Sequence, residues 1–362
     1  MPATQGAKRT GLAVLLGAAL LALGAPPAAA GERAPVLAPD TQLARIAFGS
    51  CADQNRPQPF WEPILAAAPE LMLMIGDNVY GDVSSGEMRE LEAAYARLAA
   101  IDGFVRLRAQ VPVFAIWDDH DYGRNDAGAD FPFKQQAQAL FRQFWEVPAN
   151  SPRGRREGLY DAAVFGPPGR RVQVILLDTR WFRSPLRPTD QRGAAGRERY
   201  LPDWDPAKTM LGRDQWTWLQ AELAKPAEVR LVVSSIQVLA DGHGWERWGN
   251  LPLERARLVD AIASARANGV ILLSGDRHVG GLYRVDDALP YPLVEITSSS
   301  LNRPFASAEE ADPHRLGELV REANFGYAGI DWQAGTIRLE LRDLQGTAVR
   351  SLTIRIADLR FR

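Results

Sequence analysis

In the stretch LMLMIGDNVYGD (residues 71–82) an apolar run breaks off at Gly76 into a polar cluster carrying Asp77, Tyr80 and Asp82. The run is continuous rather than alternating, which is the pattern of a β-strand buried on both faces. The same form recurs on either side, at RIAFGSC (45–51), VPVFAIWDD (111–119), VQVILLD (172–178), VRLVVSS (229–235) and GVILLSGD (269–276). Helical periodicity falls between the runs, near 59–68, 88–100, 134–145 and 253–267. Strand–helix alternation predicts a largely parallel sheet, and in open α/β sheets ligands sit beyond the strand C-termini. Each polar cluster is therefore placed at one edge.

Beyond residue 280 the pattern becomes four short strand-like runs, GLYRV, YPLVEITS, GTIRLELRD and AVRSLTIRIADL, with a hairpin turn at Leu344-Gln345-Gly346. Four such strands make a poor independent core. The expected body is a single domain over 44–362, a four-layer α/β/β/α sandwich of two packed mixed sheets, with 280–362 completing the second sheet. Residues 181–212, rich in Arg, Pro, Gly and Asp, read as a long irregular insertion.

The chain has 362 residues, 46% of them hydrophobic and 24% charged, a globular composition. A formal charge of −2 from 42 basic and 44 acidic side chains does not favour a nucleic-acid or anionic-membrane partner. At the N-terminus, Lys8 and Arg9 precede an apolar run from Gly11 to Ala25 and the small residues Ala28-Ala29-Ala30. This is the form of a signal peptide over 1–30, cut after Ala30, followed by a lead-in over 31–43. The predicted location is periplasmic or extracellular, with no stable membrane insertion after cleavage. An uncleaved anchor is the competing reading of the same stretch. The one cysteine, Cys51, has no disulfide partner, so it is either an inert buried thiol or a metal thiolate.

Four strand-end clusters carry chemistry: Gly49-Ser50-Cys51, Gly76–Asp82, Trp117–Asp121 and Ser274–His278. Carboxylates at 77, 118, 119, 121 and 276 gathered at one edge repel one another unless cations neutralise them. Mixed with imidazole, thiol and phenol, they are the donor set of a hydrolytic two-metal site. Tyr80, three residues after Asp77, can turn back toward the same ion, and a phenol of pKa about 10 ionises at neutral pH only beside a strong Lewis acid. Phenolate with thiolate points to ferric iron. The alternatives are a Tyr80 that packs under its loop, an Asp118 that caps the next helix and an Asp121 behind the ligands.

With FGSC, GDNVYGD, WDDHDYG, LLDTR (176–180) and SGDRH in this order, the chain resembles the PhoD-like alkaline phosphatases within the calcineurin-like metallophosphoesterases, over roughly residues 44–300. Ordinary members carry DxH, GDxxD, GNHD/E, a middle His and GHxH. Here Cys51 stands in the first motif, Asp119 replaces the Asn of the third, and Asp276 replaces the first His of the last. The resemblance implies ferric iron (Fe3+) held by Cys51, Asp77, Tyr80 and His278, and calcium (Ca2+) beside it, bridged by Asp77 and held by Asp119 and Asp276. The middle His has no counterpart in SSIQV; Gln237 and His243 are the two substitutes, as water or phosphate contacts.

The implied activity is hydrolysis of a small phosphate ester by metal-activated water, with His120 as general acid. Arg180 is placed either to hold a phosphate oxygen or to pair with Asp178 or another carboxylate, and Arg277 is expected to point away. Six of the ten tryptophans lie between 181 and 248, as an aromatic rim or as ordinary packing. A noncatalytic binding protein of the same fold and an extracellular nuclease are the rival functions. Neither oligomeric state nor monoester against diester preference is legible.

Overall fold

The computed structural model describes residues 35–361, together with Pro2 and Ala3; the signal-peptide segment otherwise lies outside the described residues. The chain runs through β1 (Arg45–Gly49), α1 (Trp61–Ala66), β2 (Leu71–Ile75), α2 (Arg89–Ala99), α3 (Asp102–Gln110) and β3 (Val113–Ile116). A single turn, α4 (Asp119–Tyr122), then α5 (Lys134–Phe144) and α6 (Pro152–Arg155) lead to β4 (Asp161–Phe165) and β5 (Val172–Leu176). The insertion holds only the two-residue strands β6 (Arg187–Pro188) and β7 (Tyr200–Leu201). After it come α7 (Gly212–Leu223), β8 (Val229–Val233), α8 (Pro252–Ser264), β9 (Val270–Ser274), β10 (Gly280–Val285) and β11 (Leu293–Ser298). Three final strands close the chain, β12 (Phe325–Asp331), β13 (Thr336–Arg342) and β14 (Ala348–Arg355).

Two six-stranded mixed sheets form, in the orders β14-β13-β12-β1-β2-β3 and β10-β11-β9-β8-β5-β4. Strands β1, β2 and β3 are parallel neighbours, as are β5, β8, β9 and β11. Right-handed crossovers put the helices joining such strands on one outer face of each sheet, which leaves the inner faces to pack on each other. Strands β2, β5, β8 and β9 are buried at every position, the burial their unbroken apolar runs predict. Edge strand β14 alternates between half-buried and exposed instead.

The C-terminal strands divide between the sheets rather than completing the second one. Only β10 and β11 extend the second sheet; β12 pairs antiparallel with β1, Ile46 opposite Ala328, and carries β13 and β14 with it. Pairing β12 there satisfies the backbone donors and acceptors along the open edge of β1, which would otherwise be buried without partners.

Candidate metal centre

Strands β1, β2, β3, β8 and β9 deliver their C-terminal residues to one crevice. Close approach there depends on Gly76, whose φ is +117°. A Cβ at that position would stand 2.6 Å from the Cβ of Asp118 and 3.1 Å from that of Ser235. Just past the strands, Cys51, Asp77, Asp276 and His278 adopt φ of 62°, 49°, 66° and 59°. The left-handed region costs a non-glycine residue about 1 kcal/mol or more, so the fold holds four donors in bent positions that aim them inward. The Cys51 N–H donates to the Gly76 carbonyl at 3.3 Å and that of Ala52 to the Asp77 carbonyl at 2.9 Å, which locks the first two bends together.

These bends bring four unlike donors within reach of one point. Cys51 Sγ lies 3.6 Å from Asp77 Oδ2. The Tyr80 hydroxyl donates to the same oxygen at 3.0 Å and stands 3.1 Å from His278 Nε2. Ser299 Oγ, 3.2 Å from Cys51 Sγ, accepts the His278 N–H at 2.7 Å and so ties the thiol loop to the imidazole loop. On the other side of Asp77, ligand oxygens of Asp77, Asp118, Asp119 and Asp276 all lie within 4.8 Å of one another. Asp77 is thus shared by both groups, and every metal ligand expected from the sequence falls in one or the other.

Without a cation the cluster is electrostatically costly. Burial and the neighbouring Asp119 carboxylate push Asp77 well above the usual carboxylate range. Burial, then Asp118 and Asp119, do the same to Asp276. Burial raises the Cys51 thiol to about 12 and, with Asp77, raises the Tyr80 phenol. Burial pushes Asp119 up as well, but the charges of His120 and Arg180 outweigh it and hold this carboxyl down. His120 goes the other way: burial opposes its charge, yet Asp119, Asp77 and Asp82 raise it to about 10. Burial and the Arg303 charge lower His278 to about 3, leaving a neutral donor. The buried oxygens Asp118 Oδ2 and Asp119 Oδ1 have no hydrogen-bond partner. Orphaned carboxylate oxygens beside thiol, phenol and neutral imidazole fit metal cations, which would reverse each of the upward shifts.

Next to this cluster lies a second acidic group that the protein neutralises itself. Arg180 is fully buried; it pairs with Asp118 at 2.5 Å and with Glu246 at 2.6 Å. Arg183 reaches Glu246 at 2.8 Å, and Arg199 reaches Asp126 at 2.5 Å. Arg180 therefore takes the carboxylate-pairing role, with Asp118 and Glu246 rather than Asp178, and does not line the crevice. Asp118 also donates its N–H to Asp121 Oδ1 at 2.6 Å across the α4 turn, while Asp121 accepts from Asn78, so Asp121 braces the ligand loops from behind.

Gln237 and His243 lie behind the crevice rather than in it. Both are buried, and Gln237 spends its amide on the Tyr283 hydroxyl, Thr297 and His243 Nε2 at 2.8 Å. His243 Nδ1 accepts the Trp245 N–H, a neutral tautomer in keeping with a pKa that burial lowers. Ser235 stands at the end of β8, donating to Asp118 Oδ1 at 2.5 Å. Of the six clustered tryptophans, Trp181, Trp216 and Trp248 are core, Trp204 is exposed, and only Trp245 lines the crevice.

The crevice is a cavity of about 310 Å³ walled by Asp77, His120, Asp276 and His278, and on its outer side by Trp245, Phe305 and three arginines. Arg277 faces into it, paired with Glu310 and 5.3 Å from the Trp245 ring, against the expectation that it points away. Arg303 sits 4.3 Å from the Tyr80 ring and pairs with Asp53 at 3.0 Å. Asp82, 2.5 Å from His120 Nδ1, is a further partner that sequence reasoning misses. It stands inside the GDNVYGD motif, so its proximity had a sequence signal; Arg303 and Glu246 had none.

A family model described as PhoD-like phosphatase matches residues 46–348. The curated relative alkaline phosphatase D of Bacillus subtilis (strain 168) is 24% identical over 289 residues, which cover 68% of this chain and 48% of the relative. The chain thus spans about half the length of that relative. Among solved structures, that of PhoD superposes with a TM-score of 0.65 at 16% identity, covering 87% of this chain and 69% of the other. A purple acid phosphatase from yellow lupin superposes at 0.57 and 12% identity, covering 87% and 54%. At these identities the two structures establish a shared fold. With its motifs in order and the family pattern running across most of its length, the chain belongs to the PhoD-like phosphatase family.

Proposed function

We propose that this protein is an exported metal-dependent phosphoric ester hydrolase, an alkaline phosphatase D-like phosphatase or phosphodiesterase acting on small phosphate esters. The observation that carries this reading is the convergence of Cys51, Asp77, Tyr80 and His278 on one point, with unpaired carboxylate oxygens alongside. Cys51, Asp77, Tyr80 and His278 would hold ferric iron, and Asp77, Asp119 and Asp276 calcium. Bound there, the cations would supply Lewis acidity toward phosphate oxygens and activation of water.

His120 lines the same cavity with its Nδ1 held by Asp82. That contact fixes the ring and leaves Nε2 to give a proton to the leaving oxygen as its bond to phosphorus breaks. The Asp82 carboxylate beside Nδ1 favours the protonated imidazole that this step requires. Trp245 and Phe305, with ring centroids 6.3 Å apart, offer the leaving group an apolar wall.

Hydrolysis of bis(4-nitrophenyl) phosphate by the His120→Ala variant, with metals retained, tests the assignment. A loss of about 10²-fold or more is expected for a general acid; equal turnover removes that role. A noncatalytic binder of the same fold predicts no turnover in either protein. Export rests on the signal-like segment over 1–30, and N-terminal sequencing of the secreted protein should begin at Gly31.

A further inference from the structure

A second cavity, of about 480 Å³, adjoins the crevice and shares Asn125, Asp126 and Arg199 with it. One wall is the loop that follows α4; the other is the β6–β7 ribbon of the insertion, stiffened by Pro185 and Pro188. Its lining carries Arg124, Arg183, Arg192 and Arg199 against Asp126 and Asp130. The surplus is cationic in a chain whose total charge is slightly negative.

The four arginines are not equally committed. Arg199 is spent on Asp126 at 2.5 Å. Arg183 is buried and pairs with Glu246, but its Nε has no acceptor. Arg124 lies 5.3 Å from the Phe131 ring and its one acid partner is Asp130, at 3.2 Å, with both side chains about half exposed, and such pairs contribute little in water. Arg192 is exposed and has neither ion-pair nor hydrogen-bond partner among the described residues. Guanidinium forks without strong acceptors, on a proline-stiffened wall, are suited to a phosphate group, whose oxygens they meet two at a time.

We propose that this annex is a second anion subsite that selects phosphate esters bearing an additional phosphate, such as a sugar or polyol with two phosphates, one in the crevice and one between Arg124 and Arg192. The inference rests on the hydrolase reading and deepens it. It also gives the insertion over 181–212 a role, since it carries Arg192 to the cavity that adjoins the crevice.

The test compares adenosine 3′,5′-bisphosphate with adenosine 5′-monophosphate in the metal-loaded protein, by kcat/KM and by calorimetric binding. The wild type should prefer the bisphosphate about tenfold or more, as one charge-assisted contact allows. The double variant R124E/R192E should bring the ratio near one, while R213E, a charge reversal on the exposed Arg213 outside both cavities, should keep it. A ratio near one in the wild type, or one retained in R124E/R192E, overturns the subsite. If neither nucleotide is hydrolysed, turnover of bis(4-nitrophenyl) phosphate decides the hydrolase reading by itself and calorimetry decides the annex. Tighter binding of the bisphosphate that vanishes in R124E/R192E upholds it, and equal binding of the two nucleotides refutes it.

Discussion

Two groups of buried carboxylates lie side by side at the strand ends, and they are neutralised in different ways. Asp118 and Glu246 each face the guanidinium of Arg180, and Glu246 faces Arg183 as well. Asp77 and Asp276, with the thiol of Cys51 and the phenol of Tyr80, have no ion pair to a lysine or arginine among the described residues. Two like charges 4 Å apart repel by about 4 kcal/mol at an effective dielectric of 20. Several such pairs rival the whole stability of a domain, about 5–15 kcal/mol. The permanent network is built from arginine; the other is built from donors of the kind that suit a cation.

The largest effect should follow from removing the carboxylate that both halves of the metal cluster share. Asp77→Asn should lose bound metal and lower kcat/KM by about 10³-fold or more, roughly 4 kcal/mol of transition-state stabilisation. Metal analysis together with diester hydrolysis checks it; full metal content and turnover would place the centre elsewhere.

On the arginine side the loss should appear in stability. Arg180→Ala leaves Asp118 and Glu246 short of their buried partner and should cost about 3–5 kcal/mol in denaturant unfolding. Removing Glu246 as well should not restore the loss, because Asp118 and Arg183 then each keep a buried charge without its partner. A cost under about 1 kcal/mol for Arg180→Ala would mean that the network is not what neutralises these acids.

A smaller change is expected where the two kinds of group meet catalysis. Asp82→Asn removes the charge-assisted hydrogen bond that holds His120 Nδ1. It should lower kcat about tenfold with little change in KM, the worth of one such contact. Unchanged kcat would show that the ring is held by its other neighbours.

Least of all should follow from a half-buried pair away from the crevice, Glu228 with Arg171 at 2.9 Å. Burial opposes the charge of Glu228, but the Arg171 hydrogen bonds prevail and its pKa is lowered. A folded-state pKa below the unfolded value stabilises at pH above the unfolded value, about 4.3, and the gain disappears as pH falls through the folded one. Glu228→Gln should therefore cost at most about 1 kcal/mol near pH 7 and nothing in strong acid, as thermal unfolding at a series of pH values would record.

The gathering of the donor residues is legible in the sequence because they sit where buried strands end. An unbroken apolar run such as LMLMI followed by Gly76-Asp77 states both the strand and the edge at which it stops. The arginine network is not legible, because Glu246 and Arg183 lie on irregular loops and meet Arg180 only through tertiary packing. Nearness to the end of β8 suggests Gln237 as a site residue, yet a side chain there can turn toward the core, and its amide is engaged by Tyr283, Thr297 and His243. Strand β12, FGYAGID, escapes the sequence pattern: two glycines dilute it, and its partner β1 lies at the other end of the chain.

The most direct test is elemental analysis, with a visible absorption spectrum, of the protein purified without added metal. The account predicts iron and calcium bound in stoichiometric amounts, and a colour from thiolate or phenolate charge transfer that Cys51→Ser or Tyr80→Phe shifts. A colourless, metal-free protein that is fully folded and hydrolyses phosphate esters would contradict it.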